Sequence, residues 1–292
     1  MKHITTRQFS VLVDCGKIYQ FMLDIYERDW RNGVPAPFFE YAFSSFAYWM
    51  DITYSYKNCI WEDDGKIVAF CFYESPMTDI YFSLKPGYEE LASEMIAYAD
   101  AHMSVGGEIQ LILFGGQDAL MNAAKQAGYC QKSEGWDMQF DFDDVLDYSL
   151  PEGFHFVSSD EYDMNKINKC CWKGFDHEQN EGLWNHQYEQ NNYLLEVAPH
   201  ATMDLAVIIA DEKGEYVCYA GMWWTPENKL AYMEPLCTIP EYRHRGLASA
   251  ALSELYRKTK ALGATHMTGG FNDFYKAIGY KPAEKWTYWR KQ

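Results

Sequence analysis

The sequence predicts a mixed α/β (α+β) protein that uses one plan twice. Each copy is a mixed, mostly antiparallel twisted sheet flanked by helices. Three observations predict this. The chain has 292 residues, about two domains at ~150 residues each. Apolar residues make up 48% and aromatics 17%, enough to bury two cores against the entropy of ordering the chain. Finally, the order of strand, turn and helix signals in residues 59–142 recurs in residues 205–290.

The first copy opens with a helical, aromatic-rich stretch over residues 17–50. An apolar strand at 59–62 meets the turn Asp63-Asp64-Gly65-Lys66 and returns as a strand at 67–73. A third strand at 79–84, a helix at 88–103, a strand at 108–114 and a helix at 118–127 follow. Gly128-Tyr129 then leads to a closing strand at 136–142. The second copy opens on a helical stretch at 162–197. Strands are expected at 205–210, 216–224 and 229–238, separated by the turns Asp211-Glu212-Lys213-Gly214-Glu215 and Thr225-Pro226-Glu227-Asn228. A helix at 246–262 places Leu247, Ala251, Leu255 and Leu262 on one face and stops at Gly263. A strand at 264–268, a short helix at 272–278, Gly279-Tyr280 and a strand at 285–290 close it.

The acidic cluster Asp141, Asp143, Asp144 and Asp147, followed by Pro151 and Gly153, reads as an exposed connection. It divides the chain into domains 1–147 and 148–292. Net charge is -17. Residues 1–150 hold 10 basic and 23 acidic side chains, residues 151–292 hold 15 and 19. Such acidity argues against a nucleic-acid binder, whose phosphate backbone would be repelled. It favours cationic partners. No apolar run follows Lys2 and Arg7 as a secretory signal requires, and no stretch has the ~18 apolar residues of a membrane helix. The eight cysteines form no C-x-x-C pair and read as buried reduced thiols, as in a cytoplasmic protein. The eight histidines show no metal-ligand spacing, so no metal is expected.

The segment Leu236-Cys237-Thr238-Ile239-Pro240-Glu241-Tyr242-Arg243-His244-Arg245-Gly246-Leu247-Ala248-Ser249 carries the chemistry. It is a strand that turns into a helix N-terminus. The first turn of a helix has unpaired N–H groups and the positive end of the helix dipole. Gly246 lacks a Cβ, and Ala248 is small, so an anion can approach the backbone. Arg243 and Arg245 add positive charge. Together these make an anion cradle.

The pattern Arg243-x-x-Gly246-x-Ala248 after a strand resembles the acyl-coenzyme A pyrophosphate loop of the Gcn5-related N-acetyltransferase (GNAT) superfamily. Asn272-Asp273-Phe274-Tyr275-Lys276-Ala277-Ile278-Gly279-Tyr280 is similar to the family's F-Y-x-x-x-G-F/Y segment, at the expected order and spacing. The clear resemblance covers residues 204–290.

The resemblance implies transfer of an acetyl group from acetyl-coenzyme A to an amine by direct attack, with no metal. Residues 243–249 (His244 included) and Asn272 would hold the coenzyme. The edge formed by Leu236, Cys237 and Thr238 would carry the pantetheine arm. An amine of pKa ~10 must lose a proton before it attacks. Glu234 is the candidate base, with a water path to Asp176, His177 or Glu178 as the alternative. Tyr275 would be the acid for the leaving thiolate. Cys237 as a covalent nucleophile is disfavoured, since no histidine is placed by sequence to activate it. Trp172-Lys173-Gly174-Phe175-Asp176-His177-Glu178 and Trp184-Asn185-His186 lie in the variable helices that, by the resemblance, would line the acceptor side. The acceptor expected is a small-molecule or peptide amine, probed by a chain that acts as monomer or homodimer without membrane or nucleic acid. A non-catalytic acyl-coenzyme A sensor and a GNAT-like aminoacyl transferase are the alternatives.

The duplication supplies an internal control. Matching Leu91-Ala92-Ser93 to Leu247-Ala248-Ser249 puts Glu90 at the place of Gly246 and Glu89 at that of Arg245. Matching Gly128-Tyr129 to Gly279-Tyr280 puts Ala124 at the place of Tyr275. The first copy is therefore expected to be degenerate, with one coenzyme site per chain.

Overall fold

A computed structural model describes residues 2–43, 52–74, 77–185 and 198–291. By compactness the chain forms two units, one of residues 1–137 with 282–292 and one of residues 138–281.

The first unit contains β1 (Ile4–Gln8), α1 (Val11–Ile25), α2 (Ala36–Phe43), β2 (Cys59–Asp63), β3 (Lys66–Tyr73), β4 (Asp79–Leu84), α3 (Ala92–His102), β5 (Gln110–Phe114), α4 (Asp118–Gln126) and the start of β6 (Tyr129–Asp141). The second contains the end of β6, then β7 (Phe154–Phe156), α5 (Met164–Gly174), β8 (Val207–Asp211), β9 (Tyr216–Thr225), β10 (Leu230–Thr238), α6 (Leu247–Ala261), β11 (His266–Thr268) and α7 (Asp273–Ala277). The C-terminal strand β12 (Lys281–Lys291) returns to the first unit. The mixed α/β class and the repeated element order are those expected, and among the described residues the parallel pairs β4–β5 and β10–β11 break an otherwise antiparallel set of registers.

The closing strands differ from the sequence expectation. Met267 of β11 pairs with Phe140 of β6, while Trp286 and Trp289 of β12 pair with Phe114 and Leu111 of β5. Each unit is thus closed by the strand that the linear reading gives to the other copy. The aromatic content of β12 accounts for part of this. Trp286 lies 4.9 Å from the Phe114 ring and 5.8 Å from Trp30, and such contacts add to the area that the rings bury.

Other boundaries shift for local reasons. The helix expected from residue 88 starts at Ala92, after a 3-10 turn at Glu89–Leu91. β6 begins at Tyr129 rather than 136, because residues 131–134 are exposed and polar and give no strand signal. β1 and β7 are short edge strands with little burial. The expected helical stretches at 17–50 and 162–197 fall partly outside the described residues. Within them, α1 starts earlier, at Val11, and α5 ends at Gly174. Asp14 secures the start of α1. Its fully buried carboxylate takes two hydrogen bonds from Arg7, at 2.8 and 2.9 Å, and one from the Ser10 N–H at 2.9 Å.

All eight cysteines are free thiols. Among the described residues, no group of three or more His, Cys, Asp or Glu is placed to hold a metal, and no helix is long and apolar enough to cross a membrane.

Candidate active site

The site of interest starts at a bulge. Met233 pairs with Met222 on β9, but the next pair is Leu236 with Ala220. Glu234 and Pro235 therefore stand opposite Gly221 alone, as in a β-bulge. Gly221 is needed there: a Cβ would lie 2.1 Å from the Glu234 carbonyl oxygen. On its other edge β10 pairs with β11 only at Leu230 and Ala231. The Met233 N–H donates to Thr268 Oγ1 at 2.8 Å, and past it the edge from Leu236 to Thr238 lines a cleft of about 620 Å³.

The far wall of this cleft is the loop into α6. His244 and Gly246 both take left-handed backbone angles, φ 60 and φ 83. Such alternation turns successive N–H groups toward one side and forms an anion-binding nest. Among the described residues, the N–H groups of residues 244–248 donate to no backbone acceptor. Gly246 precedes the helix directly, and a side chain there would be strained by its φ. Ser249 Oγ donates to the Gly246 carbonyl at 2.9 Å and fixes the turn.

Arg243 lines the cleft but is already engaged. Its Nε donates to the Thr238 carbonyl at 3.1 Å, and its Nη2 to the Gly174 carbonyl at 2.8 Å and to Asp176 at 2.9 Å. It ties the end of β10 to the end of α5. Arg245 does not line the cleft. Its Nη2 donates to the Glu241 carbonyl at 3.1 Å, and its guanidinium lies 4.9 Å from the Tyr242 ring centre. The Tyr242 hydroxyl in turn donates to Asp211 at 2.8 Å. Burial opposes ionisation of Asp211, but this bond and two backbone N–H donors, from Lys213 and Glu215, hold its carboxyl below the usual range.

Tyr275 enters the cleft from α7 and is 7% exposed. Its ring sits 5.2 Å from Tyr280, edge to face. Gly269 makes the space: a Cβ there would lie 2.8 Å from Tyr275 and 2.7 Å from Tyr280. Asn272 lines the cleft too, while its Oδ1 accepts from the Phe274 N–H at 3.1 Å and caps α7.

Of the expected site residues, the cleft brings together Leu236, Cys237, Thr238, Arg243, His244, Gly246, Leu247, Ala248, Ser249, Asn272 and Tyr275. Arg245 and Glu234 are not in its lining; Glu234 stands in the bulge, partly buried. The Cys237 side chain packs on α5, with its sulfur 3.9 Å from Cys171 Sγ and 3.8 Å from the Cys170 carbonyl. Cys218 nearby is kept a thiol by burial, which pushes it up to about 12.

Tyr242 and Phe274, which lie inside the two motifs but were not expected as site residues, and Gly174 and Phe175 of the expected acceptor-side stretch also line the cleft. Phe175 is 41% exposed. On the expected acceptor side, Asp176 lines the cleft, with a left-handed φ of 60 and a buried Oδ1 that has no hydrogen-bond partner among the described residues. His177 Nδ1 contacts Glu181 at 2.5 Å. Trp172 is buried, and its Nε1 donates to the Gly182 carbonyl at 3.0 Å. His186 lies outside the described residues.

Residues 161–280 match the family model described as "Acetyltransferase (GNAT) family". No curated protein matches the chain. Among solved structures it is similar to a tandem GNAT protein from the clavulanic acid biosynthesis pathway (14% identity, 98% of each chain covered, TM-score 0.59). It is also similar to a GNAT-family acetyltransferase from Colwellia psychrerythraea (11% identity, 99% of this chain and 100% of that one, TM-score 0.59). A third is a GCN5-related N-acetyltransferase from Sphaerobacter thermophilus (13% identity, 99% and 95%, TM-score 0.56). At these identities the likeness concerns the fold.

Proposed function

We propose, from the premise that residues 161–280 form a GNAT-family domain, that the second unit transfers an acetyl group from acetyl-coenzyme A to a primary amine. The observation that carries this reading is the cleft itself. Among the described residues, one wall offers amide donors beside Gly246 that no backbone carbonyl takes, the other a strand edge at Leu236 outside the β10–β11 ladder, and Tyr275 lines the cleft from α7.

These residues suit an acyl-coenzyme A. The amides of the α6 loop suit the diphosphate, where helix and nest both favour negative charge. The edge at Leu236, beside the Thr238 carbonyl that Arg243 holds, suits an amide of the pantetheine arm. Holding the thioester beside the amine makes the step local. The amine nitrogen forms the new C–N bond and the C–S bond breaks. The amine's proton leaves through water toward Asp176, which lines the cleft. The departing sulfur takes its proton from the Tyr275 hydroxyl.

The catalytic copy is the second one, and the first copy has no donor site. The reading as a sensor without catalysis leaves Tyr275 in the cleft without a task. The test is thiol release from acetyl-coenzyme A over a panel of polyamines, amino acids, aminoglycosides and peptides. Amine-dependent release supports transfer; coenzyme binding with no release for any amine supports the sensor.

A further inference from the structure

One position does opposite things in the two units. Asn272 and Gln117 each precede the helix that follows the fifth strand of their copy, α7 and α4. Asn272 caps its own helix. Gln117 is one methylene longer, makes no side-chain cap bond and reaches elsewhere. Its Oε1 accepts from the Phe114 N–H at 3.0 Å, and its Nε2 donates to the Phe82 carbonyl at 3.0 Å.

Phe82 and Phe114 lie just past the last β4–β5 pair, Tyr81 with Ile112. This place corresponds to the edge of β10 that lines the cleft. The Gln117 amide, 4% exposed, bridges the two strands there. The next donor on that edge, the Leu84 N–H, is taken by the Asn32 carbonyl at 2.8 Å.

The cradle is filled as well. The Gly87 N–H donates to Glu89 Oε1 at 2.9 Å. Backbone N–H bonds hold the Glu89 carboxyl below its usual range. The Tyr88 and Leu91 N–H groups donate to the Lys85 and Tyr88 carbonyls at 3.2 and 3.0 Å. The cleft that remains there measures about 240 Å³.

We infer that the first unit is a self-liganded copy, closed to coenzyme A by its own Gln117, Asn32 and Glu89. A carboxamide and a peptide carbonyl stand where the pantetheine arm would bring its amides. A carboxylate stands where the diphosphate would bring its oxygens. Buried strand-edge groups must be paired, so a copy that no longer takes a ligand needs internal substitutes. This inference rests on the coenzyme reading of the second unit. It goes further in stating that the first site is occupied from within, not merely stripped of positive charge.

Amide hydrogen exchange on the full chain tests it, free and with about 1 mM coenzyme A. In the free protein the Leu84, Gly87 and Phe114 amides should exchange at least tenfold more slowly than those of residues 244–248. Gln117→Ala should speed Phe114 at least tenfold and leave Leu111 unchanged. Equal rates for the two sets, or no effect of Gln117→Ala, would overturn self-ligation. Added coenzyme should slow residues 236–248 and leave residues 82–89 as they were. Slowing at 82–89 would overturn closure. If coenzyme slows neither segment, the reading of the second unit fails, while the free-protein rates still decide self-ligation.

Discussion

Arg243 and Asp176 are joined by a 2.9 Å ion pair in the wall of the second unit's cleft. The same guanidinium nitrogen also holds the Gly174 carbonyl, and Nε holds that of Thr238. The pair sets where the end of α5 stands against the strand edge. Arg243→Gln should raise the KM for acetyl-coenzyme A about tenfold, worth about 1.4 kcal/mol, with a small change in kcat. Arg243→Lys should not rescue it, because an ammonium cannot reproduce the planar fork. Steady-state kinetics, checked against unchanged thermal unfolding, measure this.

Tyr275→Phe removes only a hydroxyl. The ring keeps its place between Gly269 and Tyr280. Turnover should fall about 10²-fold, in the range of general-acid effects, with coenzyme binding unchanged. Unaltered kcat would refute the acid role.

Gly221→Ala tests the bulge. The added methyl would meet the Glu234 backbone carbonyl at 2.1 Å, and backbone cannot move aside as a side-chain tip can. A loss of about 3 kcal/mol is expected, at the upper end for overpacking. Denaturant unfolding followed by tryptophan fluorescence reads it.

Asp137 gives a pH dependence. Burial pushes its carboxyl up to about 6. The folded state therefore holds a proton that the unfolded state releases near pH 4, and the associated stability is lost as pH rises from about 4 to about 6. Asp137→Asn should flatten that decline and leave the variant more stable at pH 7 by about 3 kcal/mol. Unfolding curves at pH 4 and 7 for both proteins decide the matter.

The features legible in the sequence are local ones. Gly246 after Arg243, the Asn272 to Tyr280 segment and the turns at Asp64-Gly65 and Lys213-Gly214 each follow from a few adjacent residues. Long-range partners were not legible. Nothing near Arg243 points to Asp176, which lies 67 positions away. Nor does alternation within β6 or β12 say which sheet each closes. Both have apolar faces, and the choice rests on packing such as Trp286 against Phe114. Gln117 reads as a helix start, which it is; its second task depends on Phe82, 35 positions away.

Calorimetric titration of acetyl-coenzyme A into the full chain and into Gly246→Glu tests the central claim most directly. The substitution puts a carboxylate and an unfavourable φ into the cradle. One site per chain in the unmodified protein, lost in the folded variant, is the predicted result. Binding that persists in Gly246→Glu, or no binding in the unmodified chain, would contradict it.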